Sequence, residues 1–234
     1  MFRMYYLYIT INSIQEVIRM KYHYLSLVFI FISLQGMSPK KEQYYIAQYS
    51  APTAVKEQLD QALKDTELST CNKVGNLFVK TGIDRLKGRE IILAAIAKYN
   101  CDLILVPQKY AYEYQGRTLV VAEEVISTAI YQPFNLEQVK QICTIAKKSG
   151  YHDIHRKNLQ QTPDGKVTFI DTEMKGFWSR YDAMNKLKKC TNRMKSLSQI
   201  KRLPMPLEAK EYVADEIKVE ELRKKYLNKR TTHP

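Results

Sequence analysis

The sequence predicts an α+β protein of two lobes with a cleft between them. Strand-like runs with turn signals crowd residues 71–122 and are broken by one strong helix. Helical patterns dominate from Phe134 onward, interrupted by one short hairpin pattern over residues 151–173. That hairpin carries Asp153, Asn158 and Asp171 on its loop and at its strand end. Strands and helices segregated in this way pack as separate layers.

Residues 40–65 read as polar and helical, with apolar side chains at helical spacing over 54–63. Residues 69–75 break that pattern. Residues 77–80 read as a strand closed by Thr81 and Gly82. Residues 89–99 are good helix formers with an apolar stripe. Residues 103–106 read as a strand stopped by Pro107. Residues 112–114 and 118–122 frame a turn at Gln115 and Gly116, which predicts a hairpin. A helix opens at Phe134 or Asn135, runs over 136–147 and stops at Ser149 and Gly150. Leu159 and Gln160 read as a short strand, Pro163 to Gly165 as a turn, and 167–170 as a strand. Residues 181–197 form a basic amphipathic helix pattern. Pro204 and Pro206 interrupt it, and 207–227 are again rich in helix formers. The resulting division is an apolar extension over 1–37, an N-terminal lobe over 40–122, a C-terminal lobe over 123–203 and a basic helical tail over 204–234.

Composition excludes a disordered chain: 45% of residues are hydrophobic and 26% charged. Of the net charge of +13, +9 lies in residues 174–234, which hold 16 Lys/Arg against 7 Asp/Glu. Such a segment is either a solvated helical face or a surface for an anionic partner, whether nucleic acid, membrane or phosphorylated substrate. Aromatics interleave with the charge at Trp178, Tyr181, Tyr212 and Tyr226, without a nucleic-acid motif. Cys71, Cys101, Cys143 and Cys190 include no Cys-x-x-Cys pair, which argues against zinc. Their even number permits two disulfides in an exported chain, and single buried thiols are the alternative. At the N-terminus, Lys21 precedes an apolar run over 25–34, and small residues follow at Gly36 and Ser38. This is a secretory signal pattern, with Met20 as the start and cleavage near 36–38. The run falls short of the roughly 20 residues of a membrane span. A cleaved signal implies a secreted or periplasmic protein; an uncleaved apolar element leaves it cytoplasmic or anchored.

The chemistry lies in the spacing of polar residues. Phosphoryl transfer needs positioning and charge neutralisation more than covalent work. Lys80 ends a strand, placed to reach phosphate, and Glu90 in the next helix is placed to hold it by an ion pair. Asp153 would face an acceptor hydroxyl. Asn158 and Asp171 would bind Mg2+, which prefers hard oxygen ligands.

Asp153-Ile-His-Arg-Lys-Asn158 followed by Val167-Thr-Phe-Ile-Asp171 resembles the catalytic loop and metal-binding strand of the protein kinase-like superfamily. Asp153-Ile-His155 and Ile170-Asp-Thr-Glu173 are most similar to small-molecule kinases of the aminoglycoside phosphotransferase, choline kinase and lipopolysaccharide kinase type. Residues 119–125 are similar to the segment joining the two lobes, so that the backbone at Glu123 and Val125 would meet adenine. The resemblance spans about residues 72–178. It implies a compact two-lobed protein kinase-like fold with a helical C-terminal lobe, ATP and Mg2+ as cofactors, and transfer of the γ-phosphoryl group to a hydroxyl. The acceptor class stays open among small molecule, lipid-linked sugar and protein. The chain departs from the pattern in three places. No Gly-x-Gly-x-x-Gly loop precedes Lys80, Tyr151 stands where His is usual, and few residues follow Asp171. These departures sustain two alternatives, a pseudokinase-like binding protein and a basic helical protein for an anionic partner.

Overall fold

The computed structural model describes residues 39–64, 71–128, 132–179, 182 and 184–232, and the signal-peptide reading over 1–37 lies outside them. The protein is mixed α+β, with six α-helices and two small sheets among the described residues. In chain order the elements are α1 (Pro39–Gln48), α2 (Thr53–Leu63), β1 (Cys71–Val74), β2 (Leu77–Thr81), α3 (Asp84–Tyr99), β3 (Ile104–Leu105), β4 (Lys109–Tyr114) and β5 (Arg117–Glu123). There follow α4 (Leu136–Ser149), β6 (Leu159–Gln161), β7 (Val167–Phe169), a 3-10 turn (Met174–Gly176), α5 (Lys186–Ile200) and α6 (Leu207–Thr232). Among the described residues, no helix is long and apolar enough to cross a membrane.

The first sheet is antiparallel with order β1-β2-β5-β4, and Lys80 stands opposite Val120 in its register. Alternation along β5 sends Leu119 and Val121 to one face and Val120 to the other. The first face packs under Leu59 and Leu63 of α2, together with Leu77 and Val79. The second face, Val120 and Ala111, meets Leu86 of α3. The hairpin predicted at Gln115 and Gly116 is present, with both residues at positive φ (48° and 70°), as a tight twisted turn requires.

The second sheet has order β3-β7-β6, with β3 parallel to β7 and β6 antiparallel to it. It sits in a larger core of Phe134, Ile142 and Ile145 from α4 and its approach, Phe169, Leu197 and Ile200 of α5, and Ala209 and Val213 of α6. The basic segment after Pro204 is therefore docked through an apolar stripe. Helix α4 begins at a capping box: Asn135 accepts from the Gln138 amide at 2.9 Å, and Gln138 Oε1 accepts from the Asn135 amide at 2.8 Å.

Two sequence expectations are corrected. Residues 71–74 are a strand, not a break, because hydrogen bonding to β2 overrides the weak strand propensity of Asn72 and Lys73. The helix expected from Arg89 begins at Asp84, whose carboxylate accepts from the Met174 amide at 3.1 Å. The start of the helical pattern over 181–197 falls partly outside the described residues; α5 itself begins at Lys186, where the Asn185 side chain accepts from the Leu187 and Lys188 amides at 3.1 and 3.0 Å. Cys101, Cys143 and Cys190 are buried free thiols, so two intrachain disulfides do not form.

Helix α3 belongs to both cores, with Leu86 in one and Ile92 and Ala95 in the other. It crosses the segment after β7 at Gly88. A Cβ there would stand 1.8 Å from the Thr172 carbonyl oxygen and 2.9 Å from the Phe177 ring. Gly88→Ala therefore has to push the helix away, and overpacking of this kind costs about 1–3 kcal/mol despite the better helix propensity of Ala. A thermal melt of this variant is expected to lose several degrees; an unchanged or raised midpoint would refute the close approach.

Candidate functional site

Gly150 (φ 80°) ends α4 and turns the chain into an extended segment pinned from both sides. Tyr151 bridges Phe177, and the His152 amide donates to the Gly176 carbonyl at 2.7 Å. Asp153 and Asn158 are one hydrogen-bonded unit. Asn158 Nδ2 donates to the Asp153 carbonyl at 3.1 Å and to its Oδ2 at 2.8 Å. His155 Nε2 lies 3.1 Å from the other Asp153 oxygen. The Ile170 amide donates to the Asn158 carbonyl at 3.0 Å, so the loop is tied to the strand end that bears Asp171.

The Asp171 carboxylate pairs with Arg85 Nη1 of α3, lies 3.7 Å from Lys80 Nζ of β2, and accepts from the Glu173 amide at 3.1 Å. Burial pushes its pKa up, but the Arg85 and Lys80 charges outweigh burial and the net shift is downward. Its backbone carbonyl accepts from the buried Tyr151 hydroxyl at 2.6 Å. Tyr151 thus joins the start of the Asp153 loop to Asp171, through a ring packed on Phe169 and Phe177.

Lys80 also lines a cavity of about 230 Å3, with Val120, Ala122, Glu123, Val125 and Ile170 on its walls. The Glu123 amide donates to the Gln108 carbonyl and the Glu124 amide to the Asn76 carbonyl. The Val125 amide has no hydrogen-bond acceptor among the described residues. Lys80, Glu123 and Val125, three of the residues singled out in the sequence, are thereby brought to one cavity.

Glu90 is not brought there. Its two carboxylate oxygens accept from the hydroxyls of Tyr45 and Tyr49 at 2.9 and 2.6 Å. Lys80 has turned instead to Asp171. The expected Lys80–Glu90 pair is thus corrected: each Glu90 oxygen is taken by a tyrosine hydroxyl instead.

Mg2+ binding by two side-chain oxygens, completed by phosphates and water, needs little from the protein. Asn158 Oδ1 accepts no hydrogen bond among the described residues, because the amide nitrogen does all the bonding. Asp171 Oδ2 has only the 3.7 Å contact with Lys80. Both are hard oxygen donors of the kind the ion prefers. No cluster of three or more His, Cys, Asp and Glu side chains converges among the described residues.

Sequence reasoning missed Arg85, Lys109 and the role of Tyr151. Arg85 bridges Asp171 and Glu173, with Nη2 3.1 Å from the latter. Lys109 Nζ is buried in the cavity wall and donates to the Ile170 carbonyl at 3.0 Å and to Thr172 Oγ1 at 2.7 Å. The period of two along β4 places Lys109 on the same face as buried Ala111, and that was the available signal. No protein-family model matches the chain, and no curated protein is significantly similar to it.

Burial lowers the Lys109 pKa to about 7, and nearby Asp171 only partly opposes this. A lysine depressed in the folded state binds fewer protons than in the unfolded chain, so stability rises with pH above about 7. Lys109→Met removes that slope and leaves Thr172 Oγ1 its bond to the Arg85 carbonyl at 2.6 Å. Denaturant unfolding at pH 7 and pH 9 without added metal is expected to show wild type gaining about 2 kcal/mol relative to Lys109→Met. Parallel curves for the two proteins would refute it.

Proposed function

We propose that this chain is a kinase-like phosphotransferase with a compact protein kinase-like fold. It binds ATP in the Lys80 cavity and moves the γ-phosphoryl group to a hydroxyl. One linkage carries the reading. Lys80 on the cavity wall reaches Asp171, and Ile170 beside it closes the same cavity while its amide holds the Asp153–Asn158 loop. Val120, Ala122 and Ile170 supply apolar surface for a flat base, and the Glu123 carbonyl and Val125 amide its polar edge. Lys80 and Arg85 supply positive charge for phosphate oxygens. Asp153, partly exposed and held by Asn158, accepts the proton of the acceptor hydroxyl and orients its oxygen. Asn158 Oδ1 and Asp171 Oδ2 would hold Mg2+, which supplies charge neutralisation on the phosphates. Tyr151 fixes the strand end that positions Asp171.

Arg85 favours a second reading. A guanidinium already seated on Asp171 supports nucleotide binding without turnover.

A thermal shift with Mg-ATP, followed by ADP release against a panel of hydroxyl acceptors, separates the two. Saturating nucleotide at about 100 Kd stabilises by about 2.7 kcal/mol, a shift of several degrees. Lys80→Ala is expected to lose the shift. Asp153→Asn is expected to keep it and lose ADP formation by about 100-fold or more. Binding without ADP release in wild type selects the second reading. Absence of any shift at millimolar nucleotide sinks both.

A further inference from the structure

The basic segment that the phosphotransferase reading leaves unused is ordered into one surface. Residues 186–195 of α5 and 221–230 of α6 hold ten Lys/Arg and one acid, Glu221. The two stretches lie side by side. Lys186, Lys189 and Arg193 of α5 line a groove of about 310 Å3 with Arg223, Tyr226 and Leu227 of α6. No Asp or Glu lines this groove among the described residues. Glu220, next to it, is fully buried and accepts from Arg193 Nη1 at 3.4 Å and from Arg223 Nη1 at 2.7 Å. One buried carboxylate thus orients both guanidiniums and offsets only one of the four groove charges. Glu221 lies on the other side of α6, where it lines a separate groove with Lys224 and Lys225.

An apolar stripe runs beside these cations. Val219, Leu222 and Tyr226 recur at i, i+3 and i+7, which puts them on one face of α6. They are 42%, 66% and 60% exposed, and their face turns away from Val213 and Glu220, the buried side of the helix. Arg223 and Arg230 each follow a stripe residue by four positions and so edge it on one side. The Arg230 guanidinium lies over the Tyr226 ring, 5.6 Å from its centre. Lys218 and Lys225 edge the stripe on the other side. The acid in line with it, Asp215, is paired with Lys218 at 2.9 Å. Single exposed apolar side chains need no partner, but a stripe rimmed by charge marks an interaction surface.

We infer that this face of α5 and α6 docks on the surface of an anionic phospholipid bilayer. Lipid phosphates meet the groove cations, while Leu222 and Tyr226 enter the headgroup boundary. Charge excludes a second copy of the chain, which would set like against like. A nucleic acid would satisfy the cations but leave the aliphatic stripe without a function. A bilayer of negative headgroups over hydrocarbon matches both parts at once. The inference uses none of the residues of the Lys80 cavity and does not depend on nucleotide binding there.

Cosedimentation of the full chain with phosphatidylcholine vesicles, with and without phosphatidylserine, tests this. The apolar run over residues 25–34 would act on both kinds of vesicle, so the excess on phosphatidylserine is the readout. That excess is expected to vanish as salt rises from about 0.1 M to about 1 M. Each cation near an anionic surface is worth about fivefold, so Lys186→Gln with Lys189→Gln should cut the excess about 25-fold. Leu222→Ser with Tyr226→Ser should cut it about tenfold and leave the affinity for double-stranded DNA unchanged. Both double variants should keep the far-UV circular dichroism and melting midpoint of wild type. Equal partition onto the two kinds of vesicle overturns the inference. So does an excess that survives either double variant. Tighter binding to double-stranded DNA than to phosphatidylserine vesicles at the same salt overturns it in favour of nucleic acid.

Discussion

The Asp171 carboxylate is the constraint on which the rest of this structure hangs. Arg85 reaches it from α3, Lys80 from β2, and the Glu173 amide from its own turn. Its carbonyl is held by Tyr151 from the segment leading to Asp153. Three other stretches of chain are thus oriented on one residue. Half-buried charge is tolerated here because the pairing is charge-assisted and repeated, which outweighs the burial that would otherwise neutralise the acid.

The mechanical counterpart is the crossing of α3 over Thr172. A helix can approach a backbone carbonyl this closely only where there is no side chain, and Gly88 provides that place. The helix propensity lost at a glycine, about 1 kcal/mol, is offset by the packing of Leu86 into one core and Ile92 into the other. Because the same helix carries Arg85 one turn before Gly88, the close approach also places the guanidinium on Asp171. Packing and electrostatics are set by neighbouring positions of a single element.

Much of the fold was legible in local sequence. The α4 boundaries followed from Asn135 and Gly150, where a cap and a left-handed residue leave little choice. The β4–β5 hairpin followed from Gln115 and Gly116, and the β6–β7 pair from the Pro163-Asp-Gly165 turn. Strand β1 was not legible, because Asn72 and Lys73 become strand only by pairing with β2. The first turn of α3 was hidden by Gly82 and by an Asp84 whose partner is 90 residues away. The loop unit of Asp153 and Asn158 could be read from spacing, since i to i+5 closes a local hydrogen bond. The partner of Lys80 could not. Whether a lysine reaches Glu90 or Asp171 depends on Tyr45 and Tyr49, which lie more than 40 residues from Glu90 in sequence.

The charges around Asp171 do not cancel. Lys80, Arg85 and Lys109 surround two acids, Asp171 and Glu173, beside a cavity that Val120, Ala122 and Ile170 line together with Glu123 and Glu124. Lys109 sits near its midpoint at neutrality because burial works against its charge. An incoming polyanion would favour the protonated form of Lys109 and so strengthen its own attraction. Sharing Arg85 between Asp171 and phosphate would cost less than breaking the pair outright, since Glu173 keeps one end of the guanidinium fixed. Under the proposed phosphotransferase reading, a site arranged in this way would gain charge complementarity on filling, with its wall already held in place by these pairs.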